Sequence, residues 1–583
     1  MSKYILAVLP FFTFVSLVNA NTLADLAGVD AQQQQRQLQQ TERQLAHLKP
    51  EADVRLDITE VDESLRFPVK ELDCYSINQI DFVDYQGEKP PVPSRFSRAY
   101  QKVIADLKLK LPHCFGGEGI NIFVKRIQNE IIRQGYITTQ VIVPDQDINT
   151  GKLTLMVVPG KLRNIFIEDN SSEPRFSRFQ AWNGMALQKG DVLQLRDLEQ
   201  SLENFKRLPT VEANIDIIPS TEEGAEIGDS DVKVSYEQRF PIRLNIGLDD
   251  GGSKSTGKWQ AYATFAVDNL LSANDLFYTY FMHSIKRNSD EPGKRSSRNL
   301  LFYYSIPFRD WLLSLSYSDN RYDQRIYSTF NNDYLYEGNS RNGNVTLSRL
   351  LYRDNQRKTY ASFGVWSRKS YNYIDDVEIA VQRRKMSGWE AGIVHKEFWG
   401  NSSVEVELGY KRGTGANGSL RAPEEAYGEG TSRPQILFLS LAYTKPFKAY
   451  EQDFLFNSRW EQQWSFTPLI AQDQFSIGGR YTVRGFDGER YLAGNRGWLW
   501  RNDVSWFINH SDHAFYVALD AGDVRGTHNR KFQNGHHLVG SVAGFRGYWK
   551  GLNYDYFVGA PIHKPQGFQT SRIVTGFSVG YSF

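Results

Sequence analysis

The chain's most pointed chemistry is ionic rather than catalytic, and it rests on Arg484 and Asp520. Arg484 belongs to the tetrad Val483, Arg484, Gly485, Phe486, which follows Gly478-Gly479 inside a long polar stretch. Asp520 ends an alternating run in which Phe515, Val517 and Leu519 share one face of a strand and Tyr516, Ala518 and Asp520 the other. If residues 468–495 fold inward, the guanidinium taken out of water needs an anion. A bidentate arginine–carboxylate pair has the geometry to pin such a loop. The competing reading is an exposed loop arginine and a solvated aspartate, which would contribute little. His528, His536 and His537 share one polar stretch and read as incidental loop histidines. No Ser–His–Asp set and no Gly-rich Lys-Ser/Thr phosphate loop occurs, so no enzymatic activity, metal or cofactor is expected. Cys74 and Cys114 are too few for a four-thiolate zinc site. In an oxidising space they can pair; otherwise they are two unrelated buried thiols.

These residues need elements to hold them. The 583 residues carry a formal net charge of +1, with 40% hydrophobic and 14% aromatic residues. The mean hydropathy of −0.49 excludes a helical membrane protein, which needs apolar runs of roughly 18 residues or more. A charge so near zero argues against a nucleic-acid partner. Residues 1–20 have the form of a secretory signal peptide: Lys3, an apolar stretch from Tyr4 to Val18, and small residues up to Ala20. Residues 21–48 predict a helix, with Leu23, Leu26, Leu38, Leu45 and Leu48 sparse among Gln, Arg and Glu. A helix polar nearly all round sits in water or in a polar channel; a disordered glutamine-rich tail is the other reading. Residues 49–68 read as a linker.

Two small α/β modules follow. In 69–160 the order is β-α-α-β-β. A strand runs from Cys74 to Phe82, and one helix carries Phe96, Val103, Ile104 and Leu107. A second helix places Ile120, Phe123, Val124, Ile127 and Ile131 at helical spacing and stops at Gly135. Strands Tyr136–Val143 and Lys152–Val158 close the unit, and a Cys74–Cys114 bridge would tie helix to sheet. Residues 161–236 repeat the plan, with a helix stripe of Leu198, Leu202 and Phe205 and alternating Val211, Ala213, Ile215 and Ile217. From 237 to 583 short alternating segments dominate, such as Leu244, Ile246, Leu248 and Val404, Val406, Leu408. Seven tight turns alternate with long polar connections, which predicts a transmembrane β-barrel of about 16 antiparallel strands. Lipid tolerates no open sheet edge, so the sheet must close. The last alternating strand ends on Phe583.

Several markers together carry a resemblance. They are the Val483–Phe486 tetrad, the Phe515–Gly522 segment around Asp520, Asn269-Leu270-Leu271 with Asn274-Asp275, Tyr304-Ser305-Ile306-Pro307, and the Cys-flanked first module. On these the chain resembles two-partner-secretion outer-membrane transporters over essentially its whole mature length, and contact-dependent growth inhibition transporters in length and plan. The resemblance implies that 69–160 and 161–236 are periplasmic POTRA domains. It further implies that residues 21–48 plug the pore and that the tetrad loop lies inside the barrel. Phe583 would complete the signal read by the barrel-assembly machinery. The implied function is export of a large unfolded partner exoprotein (adhesin, haemolysin or contact-dependent inhibition toxin) from periplasm to cell surface, without ATP and with no cofactor. The chain is expected to be a monomer in outer-membrane lipid. Ile120, Phe123, Val124, Ile127, Tyr136, Ile137, Val141 and Val143 are the candidate partner contacts, forming an edge and groove for β-augmentation. An outer-membrane insertase of the same superfamily shares the tetrad and the aspartate but usually carries more modules. A general porin would explain the barrel and not the modules.

Overall fold

The computed structural model describes residues 32–583 apart from 43, 46–52, 57–65, 69–70, 72, 86–93, 175, 287–292, 328–332 and 527–534. The signal peptide at 1–20, the first part of the 21–48 helix and much of the 49–68 linker lie outside the described residues. Within them, residues 32–42 are helical and are designated α1.

The first module contains β1 (Tyr75–Ile77), β2 (Gln79–Asp84), α2 (Ser94–Leu107), β3 (His113–Phe115), α3 (Gly117–Arg133), β4 (Gln140–Ile142) and β5 (Lys152–Val158). The single strand expected from Cys74 to Phe82 is two. Its break falls at Asn78, where the N–H groups of Asn78 and Gln79 both bond the Gly151 carbonyl. β1 then pairs with β3, while β2 runs parallel to a central β5 that β4 flanks on its other side. The disulfide Cys74–Cys114 therefore links the flank of β1 to β3, strand to strand, and not helix to sheet. Glu71 caps α3 from outside, its carboxylate accepting from the N–H of Gly116 at 2.6 Å and of Gly119 at 2.9 Å.

The strand expected over Tyr136–Val143 shrinks to Gln140–Ile142. The Tyr136 N–H is spent closing the end of α3 on the Ile131 carbonyl, through Gly135 at φ +90°. This corrects the expected groove. Phe123 and Ile127 are fully buried and Tyr136 and Val141 nearly so, all in one core with Phe96, Phe115 and Leu155. The apolar stripe of α3 is consumed by its own sheet. Ile120, Val124 and Ile137 are half-buried, and of the eight only Val143 is exposed.

The second module has β6 (Leu162–Asp169), α4 (Arg178–Gly184), α5 (Leu195–Lys206), β7 (Val211–Pro219) and β8 (Ser230–Gln238), with sheet order β6-β8-β7. α4 was not expected, because only Phe179 and Trp182 are large and apolar in its seven residues. Its start is written as a capping box, in which the Ser177 side chain accepts from the Gln180 N–H while the Gln180 side chain accepts from the Ser177 N–H. The modules are bonded to each other through Leu195 N–H on the Gly135 carbonyl and Leu193 N–H on the Gly160 carbonyl.

Sixteen antiparallel strands close into a barrel, from Ile242–Asp249 to Val574–Ser582, which pair with each other. Seven tight turns lie at the end that carries the modules and the long connections at the other. The wall alternates as the sequence does: Leu244, Ile246, Phe302 and Val517 face outward and are exposed, while Asn299, Asn320, Ser370 and Asn372 fill the interior. Among the described residues no helix is long and apolar enough to cross a membrane.

A core substitution tests the first module independently of the barrel. Leu155→Ala in the central strand is expected to cost about 2–5 kcal/mol. Limited proteolysis in membranes should then cut the first module at lower denaturant, with the barrel band unchanged.

Candidate functional site

Between the eleventh wall strand (Gln452–Ser465) and the twelfth (Arg496–Phe507) the chain folds back into the lumen. A short ribbon of Phe475–Ile477 and Leu492–Gly494 braces this loop. Val483 and Phe486 anchor it, buried with Ile477, Leu499, Val524, Leu538 and Phe568 against the wall. Between these two anchors Arg484 meets Asp520 on the thirteenth strand (His513–Arg525). Its Nε lies 2.7 Å from Oδ2 and its Nη2 2.8 Å from Oδ1, a bidentate pair. The Arg484 backbone N–H adds a third bond to Oδ2 at 3.0 Å, and the Asn502 N–H a fourth to Oδ1 at 3.2 Å. Asp520 is thus a fully buried carboxylate whose two oxygens are both satisfied.

Gly485 has φ +95°, and a Cβ there would stand 2.6 Å from the Ala560 carbonyl oxygen. Across from it, a Cβ on Gly540 would stand 2.0 Å from the Arg484 carbonyl oxygen. The tetrad therefore lies flat on the wall because both surfaces are glycine. Each member has a distinct part: Val483 and Phe486 supply apolar anchors, Arg484 the ion pair, Gly485 the close approach.

The loop's inner side holds α1. Gln35 donates to the carbonyls of Ala471 at 2.7 Å and Gln474 at 2.9 Å, Gln39 donates to Ser476 Oγ at 3.0 Å, and Arg36 bonds the Gly488 carbonyl. On its far side Gln33 reaches Ser253 Oγ at 3.0 Å and Gln40 reaches Gln260 Oε1 at 2.9 Å, while Asn299 donates to Thr41 Oγ1 at 3.0 Å. An unbroken polar chain thus crosses the lumen, from Asp520 on one wall through the loop and α1 to the opposite wall.

A second junction joins modules to barrel. α4 and α5 sit on the turns that follow the second and fourth wall strands. Asn183 donates to the carbonyls of Ala273 and Pro307, and Asn274 donates to the Gln180 carbonyl at 2.9 Å and to Asn183 Oδ1 at 2.8 Å. Arg207 reaches the Asn274 carbonyl at 2.8 Å and Ser305 Oγ at 2.5 Å. The segments Asn269–Asp275 and Tyr304–Pro307, singled out in the sequence without a role, are the barrel's docking surface for the second module. Beside them Arg353, fully buried, pairs with Glu199 and Glu203 of α5 at 2.9 Å each. Lys358 bonds Glu203 and, at 2.8 Å, Asp53 of the linker, which also pairs with Lys396. Burial alone would raise the Asp53 carboxyl, but Lys358 and Lys396 hold it below the usual carboxylate range. The linker to α1, the second module and the barrel rim therefore share one ionic cluster, which sequence spacing could not reveal because its members lie roughly 150 and 300 residues apart.

His536 contacts Asp523, and His528 lies outside the described residues. Among the described residues no group of His, Cys, Asp or Glu is placed to hold a metal ion.

Removing the guanidinium would take the bidentate partner from the buried Asp520 carboxylate and leave it two backbone N–H bonds and the more distant Arg501, a loss of up to about 3–5 kcal/mol. Arg484→Ala is expected to expose residues 468–495 to protease in intact membranes while the barrel stays folded; an unchanged digestion pattern would remove the pinning role. Exchanging the two residues should not restore protection. Arg501 Nε already lies 3.9 Å from Asp520 Oδ2, and an arginine at 520 would also face two backbone N–H donors.

Comparison with known proteins adds to this geometry. Residues 228–547 match the haemolysin secretion/activation protein family ShlB/FhaC/HecB, 96–160 the ShlB-type POTRA domain, and 161–219 a POTRA domain. The outer membrane transporter CdiB-2 of Burkholderia pseudomallei (strain 1026b) is 32% identical over 475 residues, 81% of this chain and 79% of that protein. The hemolysin transporter protein HpmB of Proteus mirabilis is 26% identical over 437 residues, 73% of each chain. The solved structure of CdiB from Acinetobacter baumannii superposes with a TM-score of 0.82 at 27% identity, covering 96% of this chain and 99% of that one.

Proposed function

The chain belongs to the ShlB/FhaC/HecB family of haemolysin secretion/activation proteins, and from that premise we propose that it exports a large, unfolded partner exoprotein through the barrel lumen to the cell surface. The partner is an exoprotein of the contact-dependent inhibition, haemolysin or adhesin type. Its route begins at the POTRA domains in the periplasm. With the groove on α3 filled by the module's own core, the edge of β2 takes over capture. β2 is six residues long against three for β4, and one side of it carries no strand among the described residues.

One observation carries the reading: α1 is held to the loop and the wall by hydrogen bonds of glutamine, arginine and threonine side chains. The side chains of Gln33, Gln34, Gln35, Gln37, Gln40 and Thr41 are all buried, yet they present amides and a hydroxyl to the loop and the wall. A protein–protein hydrogen bond exchanged for one to water costs only about 0.5–1.5 kcal/mol net. An apolar plug of the same size would forfeit about 25 cal/mol for each Å² exposed on leaving. A helix of glutamines is a stopper that water can replace, so α1 leaves the pore and the partner takes its place. No nucleotide is used; folding of the partner outside biases the transfer. The barrel works as a monomer in outer-membrane lipid, delivered by the barrel-assembly machinery, with Phe583 as the terminal signal. Its backbone N–H bonds the Leu244 carbonyl at 2.9 Å and its ring is exposed.

Deleting residues 21–48 is expected to raise single-channel conductance in planar bilayers several-fold; conductance equal to that of the intact chain would end the plug proposal. Co-expression with a candidate exoprotein should place it in the medium, and Arg484→Ala should reduce that amount to background with the barrel still in the membrane.

A further inference from the structure

α4 has two faces of opposite character. Gln180, Asn183 and Gly184 face inward and are buried. Phe179 and Trp182, three residues apart and so on one side of the helix, are 48% and 52% exposed and lie side by side with ring centroids 5.5 Å apart. Two exposed aromatics on a seven-residue helix of a water-facing module have no packing role within that module.

Their height is fixed by the barrel. The inner face of α4 is clamped to two wall turns: Ser177 Oγ donates to the Ser272 carbonyl at 3.0 Å, and the Arg309 N–H donates to the Asn183 carbonyl at 2.7 Å. The first of these turns carries Leu270 and Leu271, 50% and 66% exposed. The second ends the outward column of the fourth strand (Ser296–Phe308) at Phe308, paired with Trp311. Trp182 continues that column directly, with its ring 4.7 Å from the ring of Phe308. The lipid-facing band of the barrel therefore runs without a step from the wall onto the second module. Arg178, exposed on the same helix, supplies a cation at that level.

We propose that α4 is an interfacial membrane anchor, with Phe179 and Trp182 seated among the phospholipids of the periplasmic leaflet and Arg178 at their head groups. Aromatic side chains are favoured at that depth because one end meets acyl chains and the other meets water. The anchor fixes the second POTRA domain against the membrane plane, so that module motion during export pivots about α4.

The test is depth-resolved labelling of the full chain in nanodiscs of phosphatidylethanolamine and phosphatidylglycerol. Both native cysteines are in the disulfide, so a nitroxide on Phe179→Cys is the sole label. The reference is Asp216→Cys, on an exposed position of β7. The expected result is a several-fold higher ratio of oxygen to nickel-chelate accessibility at 179 than at 216, and the same at Trp182→Cys. Equal, water-like ratios at all three positions would overturn the anchor. So would ratios at 179 and 182 that become protected only when exoprotein is added, since the surface would then belong to the partner.

Discussion

A carboxylate sealed from water inside a barrel wall must be matched where it stands, and Asp520 is matched bidentately by an arginine from a loop thirty-six residues earlier. The rest of the lumen's organisation follows. The pair decides where Arg484 lies, the glycines at 485 and 540 let the backbone lie there, and Val483 and Phe486 close over it. With the loop fixed, its carbonyls at Ala471, Gln474 and Gly488 form a ledge that a helix of glutamines can grip. The ion pair is costly to break and the glutamine contacts are cheap. In the proposed mechanism, that difference separates the part of the lumen that stays from the part that leaves.

The other end of the molecule uses charge differently. Around Arg353 and Lys358 three bodies share carboxylates: α5 through Glu199 and Glu203, the linker through Asp53, and the barrel through its own cations. A displacement of the second module that carries Glu203 away would take one of the two carboxylates from Lys358, and the linker to α1 depends on the same lysine. The docking surface and the linker to α1 are thus connected through a common ion.

Much of this was legible in the sequence, for a physical reason. A wall bathed by lipid on one side and water on the other must alternate strictly, so strand number, turn positions and the facing of Tyr516, Ala518 and Asp520 could be read directly. The inward loop and its ion pair were accessible because buried charge demands a partner and the alternation of Phe515–Leu519 turns Asp520 inward. The modules were harder. β1, β3 and β4 are three residues each, below any period, and α4 announces itself only through the Ser177–Gln180 capping box. The stripe on α3 does not announce its partner, because an amphipathic pattern shows that a face is covered, and not by what. Phe123 and Ile127 are covered by their own sheet. The role of Asn274 and Ser305 is not legible in the sequence, since their partners, Asn183 and Arg207, lie far off along the chain.

The central claim is that export requires α1 to leave the lumen. It is tested most directly by tethering the helix to the wall: cysteines at 41 and 299, where Thr41 and Asn299 are hydrogen-bonded at 3.0 Å, joined by a short bis-methanethiosulfonate bridge. The account predicts that bridged transporter releases no exoprotein and that reductant restores release to the level of the unbridged double variant. Undiminished release with the bridge intact would contradict it.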